Sequence, residues 1–128
     1  MSQIKSKDTK PELLVRKFLF SKGLRYRLHN KELPGKPDLT FKKYHVAVFI
    51  NGCFWHGHNN CKYFVLPKTS TEWWKQKIEE TILRDKIAAT SLIKLGWNVF
   101  TIWECALKRD KRASTLNNLF NSIQGIQK

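Results

Sequence analysis

The pattern of apolar and polar positions opens with an amphipathic segment. Four apolar residues recur there at helical spacing: Leu13, Leu14, Phe18 and Leu19. Thr9 is the predicted N-cap, Pro11 lies in the first turn, and Glu12 occupies the capping-box position. Gly23 is the predicted stop. The pattern therefore predicts a first helix that begins after Thr9.

Three strands are predicted next. The first covers residues 26–29, and a proline-rich turn at 33–37 leads through extended backbone into a second at 38–41. A tight turn separates it from a third strand at 45–50. This strand is apolar without alternation, which is typical of a central strand covered on both faces.

The remaining pattern predicts a helix at residues 71–95 capped by Gly96, then an alternating strand at 97–103. A last helix covers 113–124, with a loose tail at 125–128. This order predicts an α/β fold, with a mixed central sheet flanked by helices in a single domain spanning residues 1–128.

Composition narrows the class of protein. A hydrophobic content of 41% excludes a fully disordered chain. Neither an apolar leader nor a membrane-length apolar run is seen, so we expect a cytoplasmic protein. The formal charge of +14 in 128 residues favours a polyanionic partner, nucleic acid first. A basic domain without a nucleic-acid role is the alternative.

Cysteine spacing indicates a zinc site. Cys53-x4-His58-x2-Cys61 places three soft ligands in one loop after the predicted central strand, and Cys105 follows the strand at 97–103. If these strands are neighbours, a Cys₃His set completes a closed structural zinc site. The alternative is three unrelated buried thiols and a surface histidine, because free cysteine packs as a small hydrophobe.

Two carboxylates are candidate magnesium ligands. Asp38 heads a predicted strand and Glu12 lies on the first helix. A carboxylate at a strand start, paired with one from a packed helix, can hold Mg²⁺ against a phosphate. The simpler roles are a turn cap for Asp38 and the capping box for Glu12, and the residues alone favour those roles.

Aromatic residues lie in and near the predicted zinc loop. Phe54 and Trp55 are candidates for insertion between base steps, with packing on the protein's own core as the alternative. His56 is a candidate general base, or a zinc ligand in place of His58, and spacing does not distinguish the two. On the long helix, Trp73 is expected in the core, and Trp74 lies on another face as a candidate surface anchor.

Five segments match one family in order and spacing. They are Lys7-Asp8-Thr9-Lys10-Pro11-Glu12, Leu33-Pro34-Gly35-Lys36-Pro37-Asp38, Gly52-Cys53-Phe54-Trp55-His56-Gly57-His58, Arg84-Asp85, and Gly96-Trp97 through Trp103-Glu104-Cys105-Ala106-Leu107. In these segments the chain resembles the very-short-patch repair (Vsr) endonucleases, bacterial enzymes that nick beside thymine in T:G mismatches. The resemblance runs from Ile4 to Leu107.

The resemblance implies a restriction-endonuclease-like core of the PD-(D/E)XK type and Mg²⁺-dependent DNA cleavage. It implies that Asp38 binds the metal, that Glu12 reaches it through water, and that His56 is the catalytic histidine. Asp85 matches a supporting acidic residue. The implied structural zinc ligands are Cys53, His58, Cys61 and Cys105, which selects His58 over His56. The implied wedge into the duplex is Phe54, Trp55 and Trp74.

Three departures accompany the resemblance. Phe49-Ile50-Asn51 stands where the broader fold has Glu-x-Lys, and the repair family uses the main-chain carbonyl at the Ile50 position as a metal ligand. Asn51 replaces a second histidine of a well-known member; an amide cannot shuttle a proton, although it can hydrogen-bond a phosphate. Residues 1–8 are expected to form an N-terminal arm, and the earlier basic arm that the family often carries is either absent or trimmed.

The expected function is an endonuclease that nicks one strand of mismatch-containing duplex DNA. Two alternatives remain: a non-catalytic, zinc-stabilised DNA-binding module, and a restriction-type or junction-cutting nuclease on the same core. The expected partners are double-stranded DNA containing a mismatch and mismatch-repair accessory proteins, with no membrane association. We expect a monomer in the bacterial cytoplasm, associated with the nucleoid.

Overall fold

The computed structural model describes residues 10–54, 56–58, 61–62 and 64–126. Helices and strands follow one another in the predicted order, with one addition, a short 3₁₀ helix after the last strand. The elements are α1 (Lys10–Ser21), β1 (Arg27–Leu28), β2 (Leu39–Phe41), β3 (Val46–Asn51), α2 (Thr71–Lys94), β4 (Asn98–Trp103), the 3₁₀ helix (Glu104–Leu107) and α3 (Arg112–Gln124).

The strands of the described part form one mixed sheet in the order β1-β2-β3-β4. β1 pairs antiparallel with β2, β2 antiparallel with β3, and β3 parallel with β4. β3 is therefore internal, as its unbroken apolar pattern predicted. Because Asn51 pairs with Trp103, the chain leaves β3 and β4 at the same end of the sheet.

Helices cover both faces of the sheet. α1 and α3 pack on one face, in a core built from Val15, Leu19, Leu39, Phe41, Val46, Val48, Leu116, Leu119 and Ile123. On the other face, Gly35 lies between Ala88 of α2 and the Phe49 ring; a Cβ at Gly35 would come 2.6 Å from the Ala88 Cβ. The prediction of a mixed sheet flanked by helices is confirmed. No helix in the described ranges combines the length and apolarity needed to span a bilayer.

The C-terminal end of the chain differs from the prediction at residues 125–126. Gly125 and Ile126 continue the hydrogen bonding of α3, from Gly125 N–H to Asn121 O and from Ile126 N–H to Ile123 O. Ile126 also packs against the core, as its apolar side chain favours. The predicted loose tail is wrong for these two residues. The Thr9 cap, the arm at 1–8 and residues 127–128 lie outside the described residues.

Candidate functional site

A cysteine–histidine cluster forms where the chain leaves β3 and β4. Cys53 and Cys105 follow the ends of these parallel neighbours, and the Cys105 amide donates to Cys53 Sγ at 3.4 Å. Cys105 Sγ lies 3.5 Å from His58 Nδ1. With Cys61, the four ligand atoms lie within 4.8 Å of one another. The structure thus brings together all four residues expected to bind zinc.

The geometry of this cluster fits a tetrahedral zinc ion. Zinc bonds of about 2.3 Å to sulfur and about 2.0–2.1 Å to nitrogen place those two ligands about 3.6 Å apart, close to the observed 3.5 Å. Burial raises the pKa of Cys53 to about 12; the Cys105 amide opposes this, and the Cys105 and Cys61 thiols add to it. Crowded thiols become thiolates when a cation compensates their charge, so the donor set suits a soft divalent metal.

His58 is held in place by stacking. Its ring lies parallel to Trp103, with centroids 4.0 Å apart and an interplanar angle of 5°. Trp103 is the last residue of β4, which also leads into Cys105. The same strand end therefore supplies one ligand and orients another.

An acidic cluster lies beside the same end of β3. Asp38 directly precedes β2, and its Oδ2 accepts a 2.7 Å hydrogen bond from the Ile50 amide. Glu12, on α1, is 2% exposed and its Oε2 lies 3.2 Å from Arg16 Nη1. His29 completes the cluster, with Nε2 3.0 Å from Glu12 Oε2 and Nδ1 3.9 Å from Asp38 Oδ1. One ligand atom from each of Glu12, His29 and Asp38 lies within 4.8 Å of the others.

The electrostatics of this cluster favour a cation. Burial raises the pKa of Asp38 from 3.8 to about 6, and the nearby Glu12 carboxylate adds to the rise. The Ile50 amide lowers it, as do His29 and His56. Carboxylate oxygens are the ligands that hard divalent ions prefer, and a bound cation would offset the burial of the Asp38 charge. The residues present therefore fit a divalent metal.

A histidine–aspartate pair lies between the loop after β3 and α2. His56 Nδ1 lies 2.6 Å from Asp85 Oδ2. Asp85 falls on the inward-facing side of α2, in helical register with its buried residues Ile78, Ala88 and Leu92. When Asp85 accepts the Nδ1 proton of a neutral imidazole, Nε2 carries the lone pair. In that tautomer, His56 Nε2 can accept a proton.

Aromatic side chains cluster beside this loop. Phe54 and Trp74 are half-buried in an edge-to-face contact, with centroids 5.4 Å apart, and Phe64 lies 6.3 Å from Phe54. Trp73 contacts Trp74 at 4.9 Å. Trp55 lies outside the described residues. Two of the three expected wedge residues thus lie together.

Comparisons with known proteins identify the family. The family model described as DNA mismatch endonuclease Vsr matches residues 1–62. The type II nicking enzyme V.NmeAIP of Neisseria meningitidis serogroup A is 50% identical over 125 residues, covering 97% of this chain and 89% of that one. The DNA mismatch endonuclease Vsr of Escherichia coli K12 is 40% identical over 108 residues, covering 84% and 69%.

The chain belongs to the Vsr family of DNA mismatch endonucleases. A further relative, the type II nicking enzyme V.XorIIP of Xanthomonas oryzae pv. oryzae, is 45% identical over 107 residues, covering 84% of this chain and 78% of its own. In this Vsr-family chain, Asn51 is the last residue of β3 and is 8% exposed, beside the amide that holds Asp38.

One expectation for the Vsr-family site is wrong. Trp73, expected in the core, is 54% exposed. The inward side of α2 runs through Ile78, Ala88 and Leu92, and Trp74, one turn before Ile78, continues that side. Trp73 is rotated away from it, so Trp74 takes the inner position against Phe54.

Sequence reasoning missed His29, which belongs to the acidic cluster, and Arg16, which contacts its Glu12. The signal for His29 is the register of the β1–β2 hairpin: Leu28 pairs with Leu39, so the next residue along meets Asp38. The signal for Arg16 is its position one helical turn after Glu12, where opposite charges attract. Neither signal is distinctive without the fold.

Proposed function

We propose that this Vsr-family protein is a metal-dependent endonuclease that nicks one strand of duplex DNA next to a T:G mismatch, in very-short-patch repair. Family membership supports a DNA endonuclease of this repair pathway. The observation that carries the chemistry is the convergence of Asp38, Glu12 and the His56–Asp85 pair near one end of β3. A non-catalytic DNA-binding module has no need of that convergence.

The metal would be held by Asp38 and the main-chain carbonyl of Ile50, with Glu12 acting through water. The Ile50 amide already bonds Asp38, which places the adjoining backbone beside the carboxylate. Mg²⁺ is the proposed ion; when bound, it supplies positive charge to the scissile phosphate and the departing oxygen.

The protein's own groups would handle the proton. His56 Nε2 accepts a proton from the attacking water, while Asp85 holds the ring in the required tautomer. The water oxygen bonds to phosphorus as the bond from phosphorus to the 3′-oxygen breaks, and the departing 3′-oxygen takes a proton from solvent, leaving a 5′-phosphate and a 3′-hydroxyl. Asn51 would hydrogen-bond a phosphate oxygen, since its amide moves no proton.

Zinc would have a structural role. Cys53, His58, Cys61 and Cys105 would supply four ligands, the full number for a structural zinc site, which would leave no position for substrate. Phe54 and His56 lie between these ligands along the chain, so zinc would hold the wedge and the proton acceptor in register. Phe54, Trp55 and Trp74 would enter the duplex where it unstacks most easily, and the +14 charge would attract its phosphates.

We extend the proposal to the wider fold and the cell. Asp38 at the head of a strand in a helix-flanked mixed sheet supports a PD-(D/E)XK-type core, with Phe49-Ile50-Asn51 in place of Glu-x-Lys. The substrate would be mismatched duplex DNA. The protein would act as a monomer in the bacterial cytoplasm at the nucleoid, with mismatch-repair accessory proteins.

A paired nicking assay tests this function. Two duplexes identical except for T:G or T:A at one position are incubated with Mg²⁺ and with wild type, Asp38→Asn or Asp110→Asn. Asp110 is exposed and serves as the matched control. We expect cutting at T:G by wild type and Asp110→Asn only. Equal cutting of both duplexes would point to a restriction-type or junction nuclease, and tight binding without cutting to a non-catalytic module.

A further inference from the structure

His29 is built into the acidic cluster by the backbone as well as by its side chain. It follows β1, and its main-chain N–H donates to the Asp38 carbonyl at 3.0 Å. Its φ of +49° lies in the left-handed region, which non-glycine residues seldom occupy. This turn places the ring between the carboxylates of Glu12 and Asp38.

The Nε2 atom of His29 lacks an ordinary partner. It is buried and forms no hydrogen bond with any described residue, although Glu12 Oε2 lies 3.0 Å away. A buried ring nitrogen beside a carboxylate oxygen, without a hydrogen bond between them, is unfavourable unless a cation occupies the shared space. Imidazole nitrogen is itself a common metal ligand.

We propose that His29 is a third protein ligand of the Asp38–Glu12 cation site and makes this site bind Mn²⁺ and Co²⁺ in preference to Mg²⁺. The inference rests on the cation site of the proposed function. Mg²⁺ favours sites made of oxygen ligands, whereas first-row transition ions accept imidazole nitrogen readily. The single His29 nitrogen among carboxylate ligands therefore raises the preference of the site for Mn²⁺ and Co²⁺, while Mg²⁺ can still bind.

The competing role for His29 is that of a positive partner for the two carboxylates, with a proton in place of the metal. The two roles predict opposite effects of removing the ring. Loss of a ligand weakens metal binding, whereas loss of a competing positive charge strengthens it. The sign of the change in affinity therefore decides between them.

The test measures binding of Mn²⁺ alone to the full chain, by electron paramagnetic resonance and calorimetry without DNA, in wild type and His29→Gln. We expect His29→Gln to weaken Mn²⁺ binding about tenfold or more, with a smaller change for Mg²⁺ measured by competition. His45→Gln is the matched control, because His45 also has a left-handed backbone (φ +54°) but is exposed on another turn. Its Mn²⁺ affinity should equal that of wild type.

A second measurement includes a wild-type readout that does not depend on how well any variant folds. Pulsed electron paramagnetic resonance of Mn²⁺-loaded wild type should show the modulation of a coordinated imidazole ¹⁴N, which His56→Gln should retain and His29→Gln should lose. Unchanged or tighter Mn²⁺ binding in His29→Gln, or absence of the nitrogen signal in wild type, overturns the inference. If Asp38→Asn also leaves Mn²⁺ binding unchanged, the cation site fails, and with it the metal chemistry of the proposed function.

Discussion

His56 Nδ1 lies 2.6 Å from Asp85 Oδ2, across 29 residues of sequence. The contact joins the loop between the cysteine ligands to the inward side of α2. Both side chains stay partly exposed, at 28% for His56 and 40% for Asp85. The pair is thus both accessible to a substrate and fixed in orientation.

Asp85→Asn should slow nicking by about tenfold to a hundredfold, because an amide no longer enforces the tautomer with a free Nε2. His56→Ala should cost about 10²–10⁴-fold, the usual contribution of a general base. If the residues act as a unit, the double variant should be no slower than His56→Ala. Single-turnover nicking rates check this, with a variant of the exposed Glu80, Glu80→Gln, as control. If the losses of rate in the two single variants add up in the double variant, His56 and Asp85 do not act as a unit.

Asp38→Asn should stabilise the protein at pH 7 when divalent metal is absent. The folded pKa of about 6 exceeds the ordinary 3.8, so the folded state binds the proton more tightly and wild type loses stability as pH rises from about 4 to 6. This difference between the two pKa values corresponds to a loss of about 3 kcal/mol at most in the free energy of unfolding. Asparagine carries no charge to bury and avoids this loss.

Urea unfolding at pH 4 and pH 7, in buffer prepared without Mg²⁺ or Mn²⁺, measures this effect. The advantage of Asp38→Asn should be present at pH 7 and vanish near pH 4. Adding Mn²⁺ should stabilise wild type alone, by mass action. An Asp38→Asn variant that is less stable than wild type at pH 7 would contradict burial as the main cause of the raised pKa.

His58→Asn should lose bound zinc, whereas His45→Asn should keep it. The two histidines are matched because each stacks on a tryptophan, His58 on Trp103 and His45 on Trp97. Only His58 lies within the cysteine cluster. Zinc content by elemental analysis should be about one per chain in wild type and His45→Asn. Equal zinc in both variants would refute the ligand assignment.

Gly57→Ala should destabilise the protein more than Gly23→Ala. Both glycines have positive φ, +58° and +89°, so alanine meets backbone strain of about 1 kcal/mol at either position. At Gly57 the new Cβ would also lie 2.6 Å from Ile78 Cγ2 and 2.7 Å from Ile82 Cδ1, whereas Gly23 has open space. We expect Gly57→Ala to lose an additional amount of about 1–3 kcal/mol of unfolding free energy. Thermal unfolding of both variants measures this. Equal losses of stability would show that the loop moves freely off α2.

Phe54→Ala and Trp74→Ala should reduce the preference for T:G over T:A duplexes. Loss of one stacked aromatic removes about 1–3 kcal/mol of base stacking, which is about fivefold to 150-fold in binding. Trp97→Ala is the control, because Trp97 precedes the start of β4 and the cluster lies beyond its end. Competition binding to the two duplexes checks this, and an unchanged ratio in both variants would remove these residues from mismatch selection.

Local pattern was enough to predict the elements of this protein. Apolar spacing located the three long helices, and the unbroken apolar run of β3 identified the internal strand. The motif around Cys53 and His58 implied a ligand set because its members lie close in sequence. Such features depend on backbone periodicity and short spacing, which a chain shows before it folds.

The contacts between distant segments were decided by tertiary structure. Parallel pairing of β3 with β4 brought Cys105 to the loop of Cys53, the β1–β2 register set His29 beside Asp38, and the rotation of α2 turned Trp74 inward and Trp73 outward. A pattern reports which face a residue prefers, but not which distant residue will share that face. Only packing of the helices on the sheet fixes those neighbours, and with them the chemistry of the site.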